Sequence, residues 1–184
     1  MTEGTNGPER EPAQEAASIP FDLEHLRREA VDKEVENLHF RDYLRRQDGA
    51  AIDRRVHRLD AEITPRIDCT ACGNCCKTLI IHTERAEHER VAARMEMEPG
   101  AWEDAYVETS LGGTTVLNHI PCPFLTGTRC SVYEDRFSDC REFPHLHRPH
   151  FTDRLFSTLM HYGNCPIIYT LVEALKVETG FLSK

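Results

Sequence analysis

The pattern of apolar and polar positions predicts two helices in the first third of the chain. Residues 21–46 are rich in charged side chains, and a broken apolar stripe recurs among them at helical spacing. The stripe consists of Leu23, Leu26, Ala30, Val31, Val35 and Leu38. Residues 50–63 have one apolar face, and Thr64-Pro65 predicts the end of this second helix because proline disfavours a helical residue before it. The second face consists of Ile52, Val56, Leu59 and Ile63.

Shorter elements are predicted in the rest of the chain. Residues 121–150 are rich in Pro, Cys and His and predict irregular loops. A last helix is predicted over residues 166–178, since Pro166 suits the first helical position. The sequence thus predicts a small α+β domain that is mainly helical. The other predicted elements are strands at residues 78–82 and 114–120 and helices at residues 84–95 and 151–160.

The composition divides the chain into three predicted parts. Residues 1–20 contain few apolar side chains, and such a segment cannot offset the entropy of ordering. Residues 21–65 form an N-terminal helical segment. Residues 66–184 form a cysteine-rich domain of ordinary size for one domain. We therefore predict a disordered tail, a helical pair and a cysteine-cluster domain with short strands.

Charge and hydropathy argue against some classes of function. The formal net charge at pH 7 is -9, which is the wrong sign for a protein that neutralises the phosphates of nucleic acid. No apolar stretch approaches the roughly 20 residues of a membrane-spanning helix. The first residues also lack the apolar run of a secretory signal. We expect a cytoplasmic protein that binds neither nucleic acid nor a membrane, and an unknown protein partner stays open.

Eight cysteines provide the main functional signal. In a secreted chain such a set indicates disulfides, whereas in a cytosolic chain it more often indicates metal binding. We therefore take all eight thiols as candidate metal ligands. They are Cys69, Cys72, Cys75, Cys76, Cys122, Cys130, Cys140 and Cys165.

The first four cysteines form a compact cluster within residues 69–76. Their spacing lets the chain curl around one centre, and Gly73 and Asn74 tolerate backbone conformations that other residues resist. Cys75 and Cys76 are adjacent, and adjacent side chains usually point in different directions. Either two centres are present or one of these two cysteines has another role. The sequence leaves the partition of the eight thiols open.

The spacing favours an iron–sulfur cluster over zinc. A zinc ribbon has two separated Cys-x2-Cys pairs, and this chain has one cluster followed by single cysteines. Residues 69–75 match the first three ligands of a bacterial ferredoxin site, whose remote fourth cysteine precedes proline. Cys122 and Cys165 both precede proline, although neither lies at the ferredoxin distance. The predicted cofactor is an iron–sulfur cluster (4Fe-4S), with zinc as the alternative.

The chain resembles the CxxCxxCC cysteine-cluster family, also called the YkgJ family, of zinc- or iron-chelating domains. The resemblance covers residues 67–167 and includes several linked motifs in the same order. Phe137 stands where the family usually has proline, which changes a turn and no ligand. The motifs are the four cysteines of residues 69–76, then residues 121–125, 130–136, 140–144 and 164–166.

The resemblance implies a metal-binding domain and leaves its activity open. The family is distantly similar to flagellin lysine N-methylase, a longer protein linked to an iron–sulfur cluster. No glycine-rich loop follows a predicted strand to hold a nucleotide-like cofactor. Three functions remain: a redox iron–sulfur protein, a zinc-stabilised interaction module, or an accessory or catalytic part of a lysine methylase. We therefore name no catalytic residue and leave open whether the chain is an enzyme.

Other side chains near the later cysteines are secondary candidates. Residues 145–150 contain three histidines, and a histidine-rich loop is most often solvated rather than a ligand. Four arginines between residues 136 and 154 would form an anion site or pair with neighbouring carboxylates, and pairing is favoured. Phe124, Tyr133 and Phe143 are expected to form an apolar wall around the centre.

Overall fold

A computed structural model describes residues 17–182 of the chain. Ten α-helices and five short strands lie within these residues, which confirms the predicted mainly helical α+β fold. The predicted disordered tail lies almost wholly outside the described residues. Its last part contacts Arg66, which binds the carbonyl oxygen of Ala17 and the backbone N–H of Ile19. No helix in the described part of the chain is long and apolar enough to cross a membrane.

The helices and strands have the following bounds. The helices are α1 (Leu23–Asp32), α2 (Glu34–Leu44), α3 (Gly49–Ile63), α4 (Cys69–Cys72), α5 (Cys75–Thr78), α6 (Arg85–Arg94), α7 (Pro99–Tyr106), α8 (Ser138–Glu142), α9 (Phe151–Leu159) and α10 (Pro166–Glu178). The strands are β1 (His82–Thr83), β2 (Val107–Thr109), β3 (Thr115–Leu117), β4 (Leu125–Thr126) and β5 (Arg129–Cys130).

Several bounds differ from the prediction. The predicted strand at residues 78–82 is wrong, because Thr78 ends α5 and only β1 follows. The predicted strand at residues 114–120 contains β3, and residues 121–150 contain short elements between loops. Helix α6 starts one residue later than predicted because Glu84 and Glu87 form a reciprocal cap. Helix α10 has the predicted bounds.

Four helices enclose the larger apolar core. Helices α2, α3, α9 and α10 contribute most of its members, and the predicted apolar face of α3 is buried in it. The fully buried residues at its centre are Phe40, Leu44, Val56, Phe151, Leu155, Leu171, Val172 and Leu175. We call helices α1–α3, α9 and α10 the helical half of the molecule.

Lys33 interrupts the first predicted helix and divides it into α1 and α2. Only Leu26 of the predicted stripe is fully buried, whereas Val31, Val35 and Leu38 are exposed. The stripe was therefore wrong for most of its length. The buried side of α2 instead includes the polar residue Asn37.

Ion pairs join α1 and α2 to α10. Lys33 Nζ lies 2.6 Å from Glu29 and 2.8 Å from Glu173. Lys176 Nζ, which is buried, lies 2.5 Å from Glu36 and 2.8 Å from Glu173. Buried charges are tolerated when they are paired in this way. A charged layer thus replaces the apolar contact that the sequence pattern predicts.

Short strands and turns form the rest of the molecule. The strands β1, β3 and β2 form an antiparallel sheet in that order, and β4 and β5 form a hairpin in which Leu125 lies opposite Cys130. A smaller apolar core lies among them around Trp102, whose side chain is fully buried. Three cysteines pack against this core: Cys122, Cys130 and Cys140. We call residues 68–142 the cysteine half.

Candidate metal centre

The first cysteine cluster folds into two single-turn helices. The carboxylate of Asp68 accepts a hydrogen bond from the backbone N–H of Thr70 at 2.8 Å and caps α4. Gly73 ends this helix in the left-handed conformation, and α5 then presents Cys75 and Cys76, whose Sγ atoms are 4.0 Å apart. Consecutive residues of a helix are rotated by roughly 100°. The two adjacent thiols therefore start in different directions.

Gly73 allows the cluster to lie against the β4–β5 hairpin. A Cβ atom at this position would be 2.6 Å from the carbonyl oxygen of Thr128 and 2.9 Å from its Cα atom. The backbone φ angle of 59° also favours glycine. This close contact holds the cluster beside Cys130, which ends β5.

Asn74 connects the cluster to the last cysteine. Its side chain is buried, and its Nδ2 atom donates a hydrogen bond to the carbonyl oxygen of Asn164 at 2.8 Å. Its Oδ1 atom accepts a hydrogen bond from Arg27 at 3.3 Å. A buried amide with both ends bonded fixes the chain on either side of it. Cys165 follows Asn164 directly and is thereby held near the cluster.

Two further hydrogen bonds position the remaining cysteines. The backbone N–H of Cys122 donates to the carbonyl oxygen of Cys76 at 2.7 Å. The carboxylate of Asp139 accepts from the backbone N–H of His82 at 3.0 Å, which ties α8 and Cys140 to β1. Segments that are far apart in sequence are thereby gathered around the first cluster.

All eight predicted ligands lie along two adjoining spaces, and each is a free thiol. The larger space is a cleft of about 800 Å³, and the smaller is a pocket of about 30 Å³. Within residues 17–182, no three donor groups already form a site for one ion. The cleft is lined by Cys69, Cys75, Cys76, Cys122, Cys130 and Cys140. The pocket is lined by Cys69, Cys72, Cys75 and Cys165.

Aromatic side chains form part of the wall, as the sequence predicts. Phe124, Tyr133 and Phe143 all line the cleft, together with Phe137. Phe124 and Phe137 are buried, whereas Tyr133 is 37% exposed at the rim. The Arg136 guanidinium covers the Tyr133 ring at 3.9 Å from its centroid. These aromatic side chains therefore limit the access of water to the thiols.

Arginines give the cleft a positive side. Arg66, Arg136 and Arg141 line it, and Arg141 Nε donates to the carbonyl oxygen of Arg136 at 2.9 Å. For the four arginines between residues 136 and 154 the sequence favoured pairing with carboxylates, and Arg148 pairs in this way with Glu142. Arg136, Arg141 and Arg154 instead donate to backbone carbonyl oxygens. The guanidinium groups at the cleft offset the negative charge of nearby thiolates.

Burial raises the pKa of most of the thiols. It raises the pKa of Cys122 to about 11 and that of Cys140 and Cys165 to about 12. The hydrogen bond between Cys75 and Cys76 lowers the pKa of Cys76 to about 7 and raises that of Cys75. Metals bind thiolates, so metal binding by the thiols whose pKa is raised requires the release of their protons.

A histidine outside the predicted group lies at the site. His161 lines the smaller pocket, and its ring lies edge-on to Phe143 with centroids 5.5 Å apart. Burial lowers the pKa of His161, which favours its neutral form. His145 instead lies beside Asp139, with Nε2 at 3.4 Å from the carboxylate. Sequence reasoning missed His161, whose one signal is its position four residues before Cys165.

The donor set suits metals that prefer sulfur. Thiolates are the common ligands of structural zinc and of iron–sulfur clusters, and here they line a partly apolar cleft with compensating positive charge. Residues 68–163 match the model of the CxxCxxCC family, described as "Putative zinc- or iron-chelating domain", and this range is more than half of the chain. The chain belongs to the CxxCxxCC family.

The CxxCxxCC match defines a metal-chelating domain of the zinc or iron type. No curated protein and no solved structure matches the chain, so the similarity to flagellin lysine N-methylase stays a prediction. Cys165 lies just beyond the matched residues of the CxxCxxCC domain and still reaches the site. The structure thus extends the site past the boundary of the family match.

Proposed function

We propose that this CxxCxxCC protein holds a 4Fe-4S cluster among its cysteines and uses it in electron transfer or redox sensing. The observation that carries the proposal is the cleft of about 800 Å³ that six thiols line. A zinc ion takes four ligands at about 2.3 Å, so zinc does not require so large a space. An iron–sulfur cluster is a larger group held by thiolates on several sides.

The order of the thiols along the smaller pocket also resembles that of an iron–sulfur site. Cys69, Cys72 and Cys75 have the spacing of a bacterial ferredoxin site. The fourth thiol beside them is Cys165, which directly precedes Pro166 at the start of α10. A remote cysteine followed by proline is the fourth element of that pattern. The sequence distance from Cys75 to Cys165 differs from the corresponding distance in ferredoxins, but the fold places Cys165 at the same pocket as the other three thiols.

The surroundings of the thiols suit a redox centre. Buried aromatic side chains and the guanidinium groups of Arg66, Arg136 and Arg141 line the cleft. Hydrogen bonds, nearby charge and solvent exposure set the reduction potential of such a cluster. Eight free thiols suit a reducing compartment, and we place the protein in the cytoplasm on this ground.

The test is the metal and acid-labile sulfide content, with a visible spectrum, of the full chain purified without oxygen. We expect brown protein with iron and sulfide in comparable amounts. The Cys76→Ser variant should contain less of both. Lys77→Ser is the matched control, because Lys77 is exposed on the same helical turn and lies outside the cleft lining. Colourless protein with stoichiometric zinc would overturn the proposal and make the chain a zinc-stabilised interaction module.

The size of the cleft favours a second candidate, the modification of protein lysines. Pockets for small ligands occupy roughly 300–1,000 Å³, and the cleft lies in this range at about 800 Å³. A methyl donor with a carboxylate would find Arg66, Arg136 and Arg141 in the wall. Titration calorimetry with S-adenosylmethionine tests this candidate. Saturable binding by the metal-loaded protein would support it, and the absence of binding would remove it.

A further inference from the structure

We infer that the eight thiols form two separate four-cysteine centres. This inference rests on the proposed binding of metal by the cysteines and assigns each thiol to one centre. Four thiolates are the usual complement of a structural zinc ion and of a 4Fe-4S cluster. Centre one consists of Cys69, Cys72, Cys75 and Cys165. Centre two consists of Cys76, Cys122, Cys130 and Cys140.

The two spaces carry this assignment. The smaller pocket is lined by four thiols, and these form centre one. The cleft is lined by the four thiols of centre two and also by Cys69 and Cys75. These two shared cysteines therefore lie in the wall between the spaces. Cys72 and Cys165 line only the smaller pocket. A centre that contains them has four ligands only if the two shared thiols also belong to it.

The adjacent cysteines separate the two centres. Cys75 and Cys76 share helix α5, where consecutive residues are rotated by roughly 100°, although their Sγ atoms lie 4.0 Å apart. Cys75 lines both spaces, whereas Cys76 lines only the cleft. One turn of helix therefore supplies a ligand to each centre. Such a division also explains why two neighbouring thiols are present at a position where one ion rarely uses both.

Hydrogen bonds group the same sets of cysteines. The carbonyl oxygen of Cys76 accepts from the N–H of Cys122, and the hairpin after Cys122 returns the chain to Cys130. On the other side, Asn74 lies between Cys72 and Cys75 and holds the residue before Cys165. These contacts join ligands within a centre and do not depend on a bound metal.

The two centres differ in their exposure to solvent. Cys72 and Cys165 of centre one are each only 8% exposed, although Cys69 of the same centre is exposed. The four thiols of centre two are half-buried and line the larger cleft. Because the two centres lie in different surroundings, we expect a chelator to remove metal in two phases of similar size.

The test compares metal bound by serine variants of the full chain. Cys165→Ser and Cys130→Ser should each lose about half of the bound metal, since each breaks one of two equal centres. The double variant Cys165→Ser/Cys130→Ser should lose nearly all of it. In contrast, Cys130→Ser/Cys140→Ser changes two thiols of the same centre and should keep about half. Equal losses from the two double variants would overturn the partition.

A second variant of centre one, Cys69→Ser, keeps the test valid if Cys165→Ser misfolds. Cys165 lies in the larger apolar core, so its serine variant can fail to fold, which helical circular dichroism would detect. Cys69 is exposed, and Cys69→Ser should lose the same half as Cys165→Ser. If Cys69→Ser instead removed the metal that Cys130→Ser removes, the assignment of the shared thiols would be wrong.

The outcome separates this inference from the proposed iron–sulfur function. Colourless protein that loses zinc by halves in the same variants would support the partition and overturn the iron–sulfur proposal. Brown protein that loses all iron in every variant would support the cluster and overturn the partition. Wild-type protein that binds neither metal would contradict both.

Discussion

The helical half and the cysteine half differ in what fills their interiors. In the helical half, helices of up to 15 residues surround a core of seventeen buried residues that are almost all apolar. In the cysteine half, elements of two to ten residues surround a core of eight, with thiols along one side. Apolar burial stabilises roughly in proportion to area. We therefore expect the helical half to stay folded alone and the cysteine half to depend on bound metal.

The comparison predicts its largest effect when the metal is removed. Metal binding to thiol sites contributes folding free energy directly, as in other metal-stapled domains. We expect amide hydrogen exchange in residues 68–142 to accelerate by orders of magnitude in metal-free protein, while α3 and α10 stay protected. The measurement is hydrogen exchange with mass spectrometry. Metal-free protein with protection throughout would break the comparison.

The second prediction concerns the core of the helical half. Leu171 is fully buried in α10, and Leu171→Ala should lower the free energy of unfolding by about 2–5 kcal/mol. Val177→Ala is the control, since Val177 is 81% exposed at the end of the same helix, and its effect should stay within about 0.5 kcal/mol. Chemical denaturation measures both. Metal content of the folded Leu171→Ala protein should not change, and a loss of metal would show that the two halves are not independent.

The third prediction tests whether the close contact between Gly73 and the Thr128 backbone positions the first cysteine cluster. Gly127→Ala places a Cβ in open space at positive φ and should cost about 1–2 kcal/mol. Gly73→Ala has a similar φ but meets the Thr128 backbone, which should add about 1–3 kcal/mol. Thermal unfolding and metal content are the measurements. We expect Gly73→Ala alone to reduce metal content, because it moves the cluster away from the hairpin that carries Cys130.

The last prediction concerns how the affinity for metal depends on pH. The raised pKa values of Cys122, Cys140 and Cys165, about 11 and 12, keep these thiols protonated between pH 6 and 8. Metal must displace their protons, so affinity should rise with pH in this window. The logarithm of affinity should gain about one unit per pH unit for each such thiol bound. Competition with a chelator at several pH values measures the slope, and a flat profile would contradict the prediction.

The fold could be predicted from the sequence where apolar periodicity controls burial. Ile52, Val56, Leu59 and Ile63 recur on one face of α3, and all are buried. The same reasoning failed in α1 and α2, because Lys33 and Asn37 lie on the packed side. Lys33 is held there by carboxylates of α1 and α10, and a partner on a distant helix leaves no periodic signal. The apolar periodicity of a sequence therefore does not predict ion pairs between elements.

The sequence predicted which residues are candidates for the site, but it did not predict how they are arranged. Cysteine spacing identified all eight thiols as candidates, but it could not divide them between two spaces. That division depends on tertiary contacts such as the Asn74 hydrogen bond to Asn164 and the approach of Gly73 to Thr128. His161 was missed for the same reason, since only the fold brings it beside Phe143.

The position of α10 after the last cysteine also sets the order of events during synthesis. Helix α3 packs on α10, so the larger core cannot close until all eight thiols have left the ribosome. At about 5–20 residues per second, the interval between Cys69 and Cys165 is on the order of ten seconds. The early thiols spend this time without their most distant neighbour and open to oxidants. A metal centre that includes Cys165 can therefore be completed only when α10 arrives, whereas oxidation of the earlier thiols can begin before that.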